Sequence, residues 1–323
     1  MRWHRRALAD RSGEAPTDLT TRIGSVTLPN PVMTASGTAG HGTELQPYLD
    51  LSGLGAVVVK SLAAFPWEGN PAPRLHPTTA GMLNAVGLQG PGVAAWLHDD
   101  LPPLLRTGAR VVASIWGRSV EEYRAAADLL ALAPSGVVAV EVNLSCPNLE
   151  DRRHMFAHST TATRSAMEAT AGCRRPRWAK LSPTTPELPE VATAARDGGA
   201  EAVTLVNTLL GMVLDPSTGH PVLGRGGGGL SGPAILPVAV RAVFDVRAAH
   251  PDLPIVGVGG VASGSDAAQL LLAGAHAVQV GTATFADPRA PARVLAELQT
   301  WSAVAGVIAL ADVVGAAHRG GLR

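Results

Sequence analysis

Lysine is almost absent from this chain. Of 26 basic residues only Lys60 and Lys180 are lysines, and the rest are arginine. Surface positions accept either cation. The two lysines that remain therefore mark places where a compact ammonium is needed instead of a planar guanidinium fork. Asparagine is scarce too, occurring only at Asn30, Asn70, Asn84, Asn143, Asn148 and Asn207. Cysteine appears twice, at Cys146 and Cys173. Two thiols argue against a disulfide framework or a cysteine-built structural zinc site, and they fit a reducing, cytoplasmic setting. Acidic and basic residues balance to a formal net charge of +0, which leaves no global field to gather nucleic acid. No apolar run reaches the roughly 18 residues a bilayer-spanning helix requires, so no membrane association is expected. The basic start Met1-Arg2-Trp3-His4-Arg5-Arg6 is not followed by the apolar core of a secretory signal.

What is present is an alternating α/β pattern in a chain that is 46% hydrophobic. Residues 1–20 read as a polar N-terminal arm and residues 21–323 as a single domain. After a leading strand or hairpin at 23–28, strands are expected near 32–36, 55–60, 110–115, 137–143, 177–181, 201–207, 254–258 and 277–281. Helices are expected over 43–51, 119–132, 160–171, 186–198, 233–249, 263–273 and 290–300. Runs such as Ala56-Val57-Val58-Val59 and Val137-Val138-Ala139-Val140 are continuously apolar, as strands covered on both faces must be. Eight such units favour a (β/α)8 TIM barrel over a doubly wound sheet. Residues 61–109 and 208–232 interrupt the alternation. Each follows a strand, which makes both of them insertions at the C-terminal face, where barrel enzymes build their sites.

Polar residues end the strands: Ala35-Ser36-Gly37, Lys60-Ser61, Asn143-Leu144-Ser145-Cys146, Lys180-Leu181-Ser182, Asn207-Thr208, Gly259-Gly260 and Gly281-Thr282. In a barrel they converge on one mouth, and such a ring of costly polar groups implies a polar ligand. Glycines at the seventh and eighth strands suit a phosphate, which bare backbone N–H groups at helix starts bind well. Cys146, flanked by Ser145, Pro147 and two asparagines, is in poor company for a core residue and fits a base or nucleophile. Cys173, before Arg174-Arg175 at a helix end, reads as structural or surface.

From residue 19 to 300 the sequence resembles the class 1 dihydroorotate dehydrogenases, and most closely the FMN-bearing catalytic subunit of their NAD-linked subgroup. The resemblance is carried by Asn30-Pro31, Ala35-Ser36-Gly37, Val59-Lys60, Gly69-Asn70-Pro71-Ala72-Pro73-Arg74 and the run Gly81 to Gln89. It continues through Glu141-Val142-Asn143-Leu144-Ser145-Cys146-Pro147-Asn148, Lys180-Leu181-Ser182-Pro183, Asn207-Thr208-Leu209, Gly228 to Ala234 and Phe285-Ala286-Asp287-Pro288.

The resemblance implies an FMN flavoprotein that oxidises a CH–CH bond, that of (S)-dihydroorotate, to give orotate in pyrimidine biosynthesis. It makes Cys146 the base that takes the C5 proton while hydride leaves C6 for the flavin. Lys60 is assigned to both catalysis and flavin contact. Ala35, Ser36, Asn143 and Lys180 contact the cofactor, and Gly232, Gly259, Gly260, Gly281 and Thr282 hold its phosphate end. Asn84, Asn143, Asn148, Asn207 and Thr208 hold the substrate. A homodimer is implied, as is a partner electron-transfer subunit carrying FAD and an iron–sulfur cluster, for which this chain has too few cysteines. No metal is expected. The stretch Leu149 to Ala157 is charged and glycine-free where the family usually has glycines, and Gly90 stands where an asparagine is usual. That departure motivates the alternative of a paralogous flavin dehydrogenase acting on another dihydropyrimidine or related ring.

Overall fold

The computed structural model describes residues 17–145 and 155–322. The expected base Cys146, the expected ligand Asn148 and most of the expected polar arm lie outside the described residues. Thr17 to Thr20 are described, and Asp18 bridges in parallel to Ala309.

Eight parallel strands form the central sheet. They are β1 (Val32–Thr34), β2 (Val57–Val58), β3 (Val111–Ile115), β4 (Val137–Asn143), β5 (Arg177–Leu181), β6 (Ala202–Leu205), β7 (Ile255–Val258) and β8 (Ala277–Val280). Neighbours pair in chain order from β2 to β7, then β8, and β8 pairs β1. A parallel bridge between Met33 and Ala56 brings β1 and β2 together, so the sheet is a (β/α)8 barrel. The chain outside it supplies helices over Val120–Leu130, Thr160–Ala169, Leu188–Asp197, Leu236–Ala249, Gly264–Ala273 and Ala290–Val304.

Residues 43–51 do not form the expected helix. Pro47 sits in the middle of that stretch and has no N–H to continue a ladder, and the chain makes turns followed by a single 3-10 turn at Leu51–Gly53. Asp50 caps that turn by accepting from the Ser52 N–H.

The core has two parts. The larger lies between barrel and helices. The smaller fills the lower barrel, where Met33, Val58, Val112, Ala139, Trp178, Ala202, Val256 and Ala277 point inward. An antiparallel hairpin, Thr21–Ile23 with Val26–Leu28, stoppers that end with Ile23, Val26 and Leu28. The strand period of two sets what stands one layer higher: Lys60, Ser114, Glu141, Lys180, Thr204 and Gln279. The barrel interior thus changes from apolar to polar on going up.

The two insertions do more than lie at the same face. Gly81–Asn84 pairs with Leu75–Thr78 on one side and with Gly228–Ser231 on the other, and Gly228–Ser231 pairs in turn with Leu209–Gly211. This four-stranded antiparallel sheet forms a wall over the barrel mouth.

Candidate active site

A cavity of about 400 Å³ lies between the polar strand ends and the insertion sheet. That is within the range of small-molecule and cofactor sites. Apart from Cys146 and Asn148, every residue expected at the site lines it. Ala35 and Ser36 come from the end of β1, Lys60 from β2, Asn143 from β4 and Lys180 from β5. Asn207 and Thr208 follow β6, while Gly259, Gly260, Gly281 and Thr282 follow β7 and β8. Asn84 and Gly232 come from the insertion sheet and its end.

The amides form a chain across the floor. Asn207 donates its side-chain N–H to the amide oxygen of Asn143 at 3.1 Å. That oxygen also accepts the Ser145 N–H, and the Asn143 amide donates to Ser61 Oγ. Asn207 uses its own oxygen to accept the Thr208 N–H at 2.8 Å. From the wall, Asn84 donates to the Gly229 carbonyl at 3.1 Å. Each asparagine is thereby held in one orientation, which an amide needs if it is to present a chosen donor or acceptor to a ligand.

The two lysines stand in different surroundings. Lys180 is buried, donates to Ser36 Oγ at 3.0 Å and lies 3.7 Å from the Glu141 carboxylate. Lys60 makes no ion pair among the described residues. Burial first, and the Arg74 guanidinium second, hold its ammonium below the ordinary lysine pKa. Arg74 is itself fixed through the backbone oxygens of Asn70 and Glu68 and the Gln89 side chain, which ties the two insertion motifs together.

At the opposite end of the cavity the backbone is bare. The N–H groups of Gly232, Gly259, Gly260, Gly281 and Thr282 donate to no group among the described residues. Gly260 has φ +77, and a Cβ there would come 2.7 Å from the Leu236 N and Cβ. A Cβ on Gly232, at φ +95, would meet Gly81 Cα at 2.7 Å. Several unengaged N–H groups around one concavity make a nest for an anion such as a phosphate. An anion nest at one end, two lysines and a row of oriented amides together suit a polar ligand that carries a phosphate.

Sequence reasoning overlooked Arg225, Met82 and Phe285, which also line the cavity. It also passed over Glu141, Thr204 and Gln279, buried directly below. The last group had a visible signal: Glu141 and Gln279 interrupt otherwise apolar strand runs, and a charge fully buried in a strand is rare without a purpose. Cys173 is buried, its thiol pushed above the ordinary value by burial and set apart from the cavity.

A family model for dihydroorotate dehydrogenase matches residues 18–301. The chain is 47% identical over 300 residues to the dihydroorotate dehydrogenase B (NAD(+)), catalytic subunit of Desulforudis audaxviator (strain MP104C), covering 93% of this chain and 97% of that protein. It is 42% identical to the protein of the same name from Geobacter sulfurreducens, covering 93% and 98%.

Proposed function

The chain belongs to the dihydroorotate dehydrogenase family, and on that premise we propose that it oxidises (S)-dihydroorotate to orotate as the FMN-bearing subunit of an NAD-linked assembly. It is an oxidoreductase acting on a CH–CH bond, of a family whose catalytic subunits are flavin enzymes. The observation that carries FMN in particular is the set of unengaged N–H groups at Gly232, Gly259, Gly260, Gly281 and Thr282, which suits a terminal phosphate.

When bound, the flavin supplies the two-electron acceptor for hydride leaving C6 of the substrate. The chain does the rest. Asn84, Asn143 and Asn207 hold the ring and carboxylate through fixed donors and acceptors, with Asn148 and Thr208 completing the set. Cys146, as thiolate, takes the C5 proton, and the C5–H electron pair becomes the C5=C6 double bond as hydride leaves C6. Lys60 and Lys180 place positive charge where negative charge develops. Ala35 and Ser36 close the cofactor side from β1.

Electrons then leave to a partner carrying FAD and an iron–sulfur cluster, the role that the word "subunit" in the relatives' name supports. The chain's two cysteines cannot ligate such a four-thiolate cluster. A homodimer in the cytoplasm completes the reading, and exposed Leu210, Met212 and Leu214 on the insertion supply apolar surface for assembly. No helix among the described residues is long and apolar enough to cross a membrane. The alternative of another dihydropyrimidine substrate is not favoured by relatives that share one name.

The test is retention of cofactor. The purified protein is expected to show flavin absorption, to release FMN on denaturation and, once stripped, to bind FMN far more tightly than riboflavin. A colourless protein that takes up neither contradicts the reading.

A further inference from the structure

Directly beneath the cavity floor lies a buried polar cluster of which the proposed chemistry uses only Lys180. Glu141, on β4, is fully buried. Its Oε2 accepts from Gln279 Nε2 at 2.6 Å and from Thr204 Oγ1 at 3.1 Å. Its Oε1 has no hydrogen-bond partner, and 3.7 Å away stands the ammonium of Lys180. That ammonium donates upward to Ser36 Oγ at the cavity edge. Four strands therefore contribute to one unit: β4 the carboxylate, β5 the ammonium, β6 and β8 the neutral donors.

The pattern is odd for a device that only holds the barrel together. Two neutral donors serve one oxygen, and the other oxygen is left facing the lysine beyond hydrogen-bond reach. A buried ion pair contributes little stability against an apolar replacement of the same size. The adjacent lower layer of this barrel is filled with apolar side chains such as Val112, Ala139 and Ala277. The carboxylate also does not line the cavity, so it meets a ligand only through Lys180.

We propose that Glu141 is a positioning residue that holds Lys180 under the cofactor and, by offsetting its charge, sets how strongly the site favours the reduced flavin. The inference rests on the flavin reading above. In a low-dielectric interior a nearby cation stabilises the anionic reduced form, and a carboxylate behind that cation subtracts from the effect. Gln279 and Thr204 fix the orientation of the carboxylate through Oε2, which turns Oε1 toward Lys180. At Lys180 the site thereby presents a damped cation instead of a second bare one, which keeps the reduced cofactor able to pass its electrons onward.

The experiment is the midpoint potential of the bound flavin in the intact protein, read spectroscopically against reference dyes at fixed pH. Glu141→Gln keeps the shape and removes the charge. It is expected to shift the reduction equilibrium toward the reduced form by at least tenfold, about 30 mV for a two-electron couple. Trp178→Phe, a neutral change in the layer below, is expected to leave the potential unchanged. Gln279→Met, which removes the shorter bond to Oε2 and so frees the carboxylate to leave its place behind Lys180, is expected to shift the potential the same way by less. It serves as the test if Glu141→Gln does not fold. A potential unchanged or lowered in the Glu141 variant, or in the Gln279 variant used in its place, or raised equally by Trp178→Phe, overturns the proposal while leaving the flavin reading intact. Absence of flavin from the wild-type protein would instead overturn that reading.

Discussion

Asn207, at the end of β6, donates its side-chain amide to the amide oxygen of Asn143, at the end of β4, across 3.1 Å. The bond fixes which way both amides face. Truncating Asn207 to alanine removes a proposed ligand contact and loosens Asn143, whose oxygen also accepts the Ser145 N–H. Loss of one partner in a buried polar pair costs about 1–3 kcal/mol. Asn207→Ala is expected to raise KM for dihydroorotate by about 5- to 150-fold, by the same arithmetic, with a smaller fall in kcat. Steady-state kinetics will separate the two parameters.

The phosphate end gives a second expectation. Alanine at position 260 adds a Cβ within 2.7 Å of Leu236 and must hold φ +77. The left-handed backbone alone costs roughly 1–2 kcal/mol for a residue with a Cβ. Gly260→Ala is expected to lose FMN on gel filtration and to bind FMN and riboflavin with more nearly equal affinity. Direct titration of stripped protein measures both.

Most of the barrel was legible in the chain, because its signal is local. β4 and β5 coincide with the expected 137–143 and 177–181, because short β-prone runs such as Val137 to Val140 stand between longer helical patterns. The ring of strand-end residues was legible for a related reason: two lysines and six asparagines in 323 residues are noticeable wherever they fall. The pairing of Gly81–Asn84 with Gly228–Ser231 was not. Those segments are short and glycine-rich, and the bonds between them join residues about as far apart as Leu83 and Leu230. Nor was the Glu141 cluster recognised, because three of its members are single polar residues inside apolar strands. Their meaning appears only when four strands close around them.

Lys60 gives a pH expectation. Burial and then Arg74 hold its folded pKa below the unfolded value of 10.5. The folded protein therefore releases this proton at a lower pH than the unfolded chain, and stability contributed by this group rises with pH between the two values. Flavin reduction that depends on the charge is expected to decline on the alkaline side before an ordinary lysine would titrate. Lys60→Met is expected to abolish that limb in stopped-flow pH profiles. Lys60→Arg is expected to slow reduction by roughly tenfold, since a planar fork does not replace a compact ammonium.

A separate expectation concerns the barrel wall. His276 is lowered to about 4 by burial and by the charge of Arg247, and its Nδ1 accepts the Ile255 N–H at 3.2 Å. Its folded pKa lies below the unfolded 6.5, so the unfolded chain binds the extra proton as pH falls. Stability is then lost between about pH 6.5 and 4, by on the order of 3 kcal/mol. Urea denaturation across that window is expected to be flatter for His276→Gln than for the wild type.

The most direct test of the account is anaerobic mixing of the purified flavoprotein with (S)-dihydroorotate in a stopped-flow spectrometer. The flavin absorption is expected to bleach in a single turnover, and Cys146→Ala is expected to slow that bleaching by about 10²–10⁴, the usual span for loss of a general base. Cys146→Ser is expected to fall between the two, a hydroxyl being the weaker base. Flavin that stays oxidised in the presence of dihydroorotate, or that bleaches at an unchanged rate without Cys146, would contradict the account.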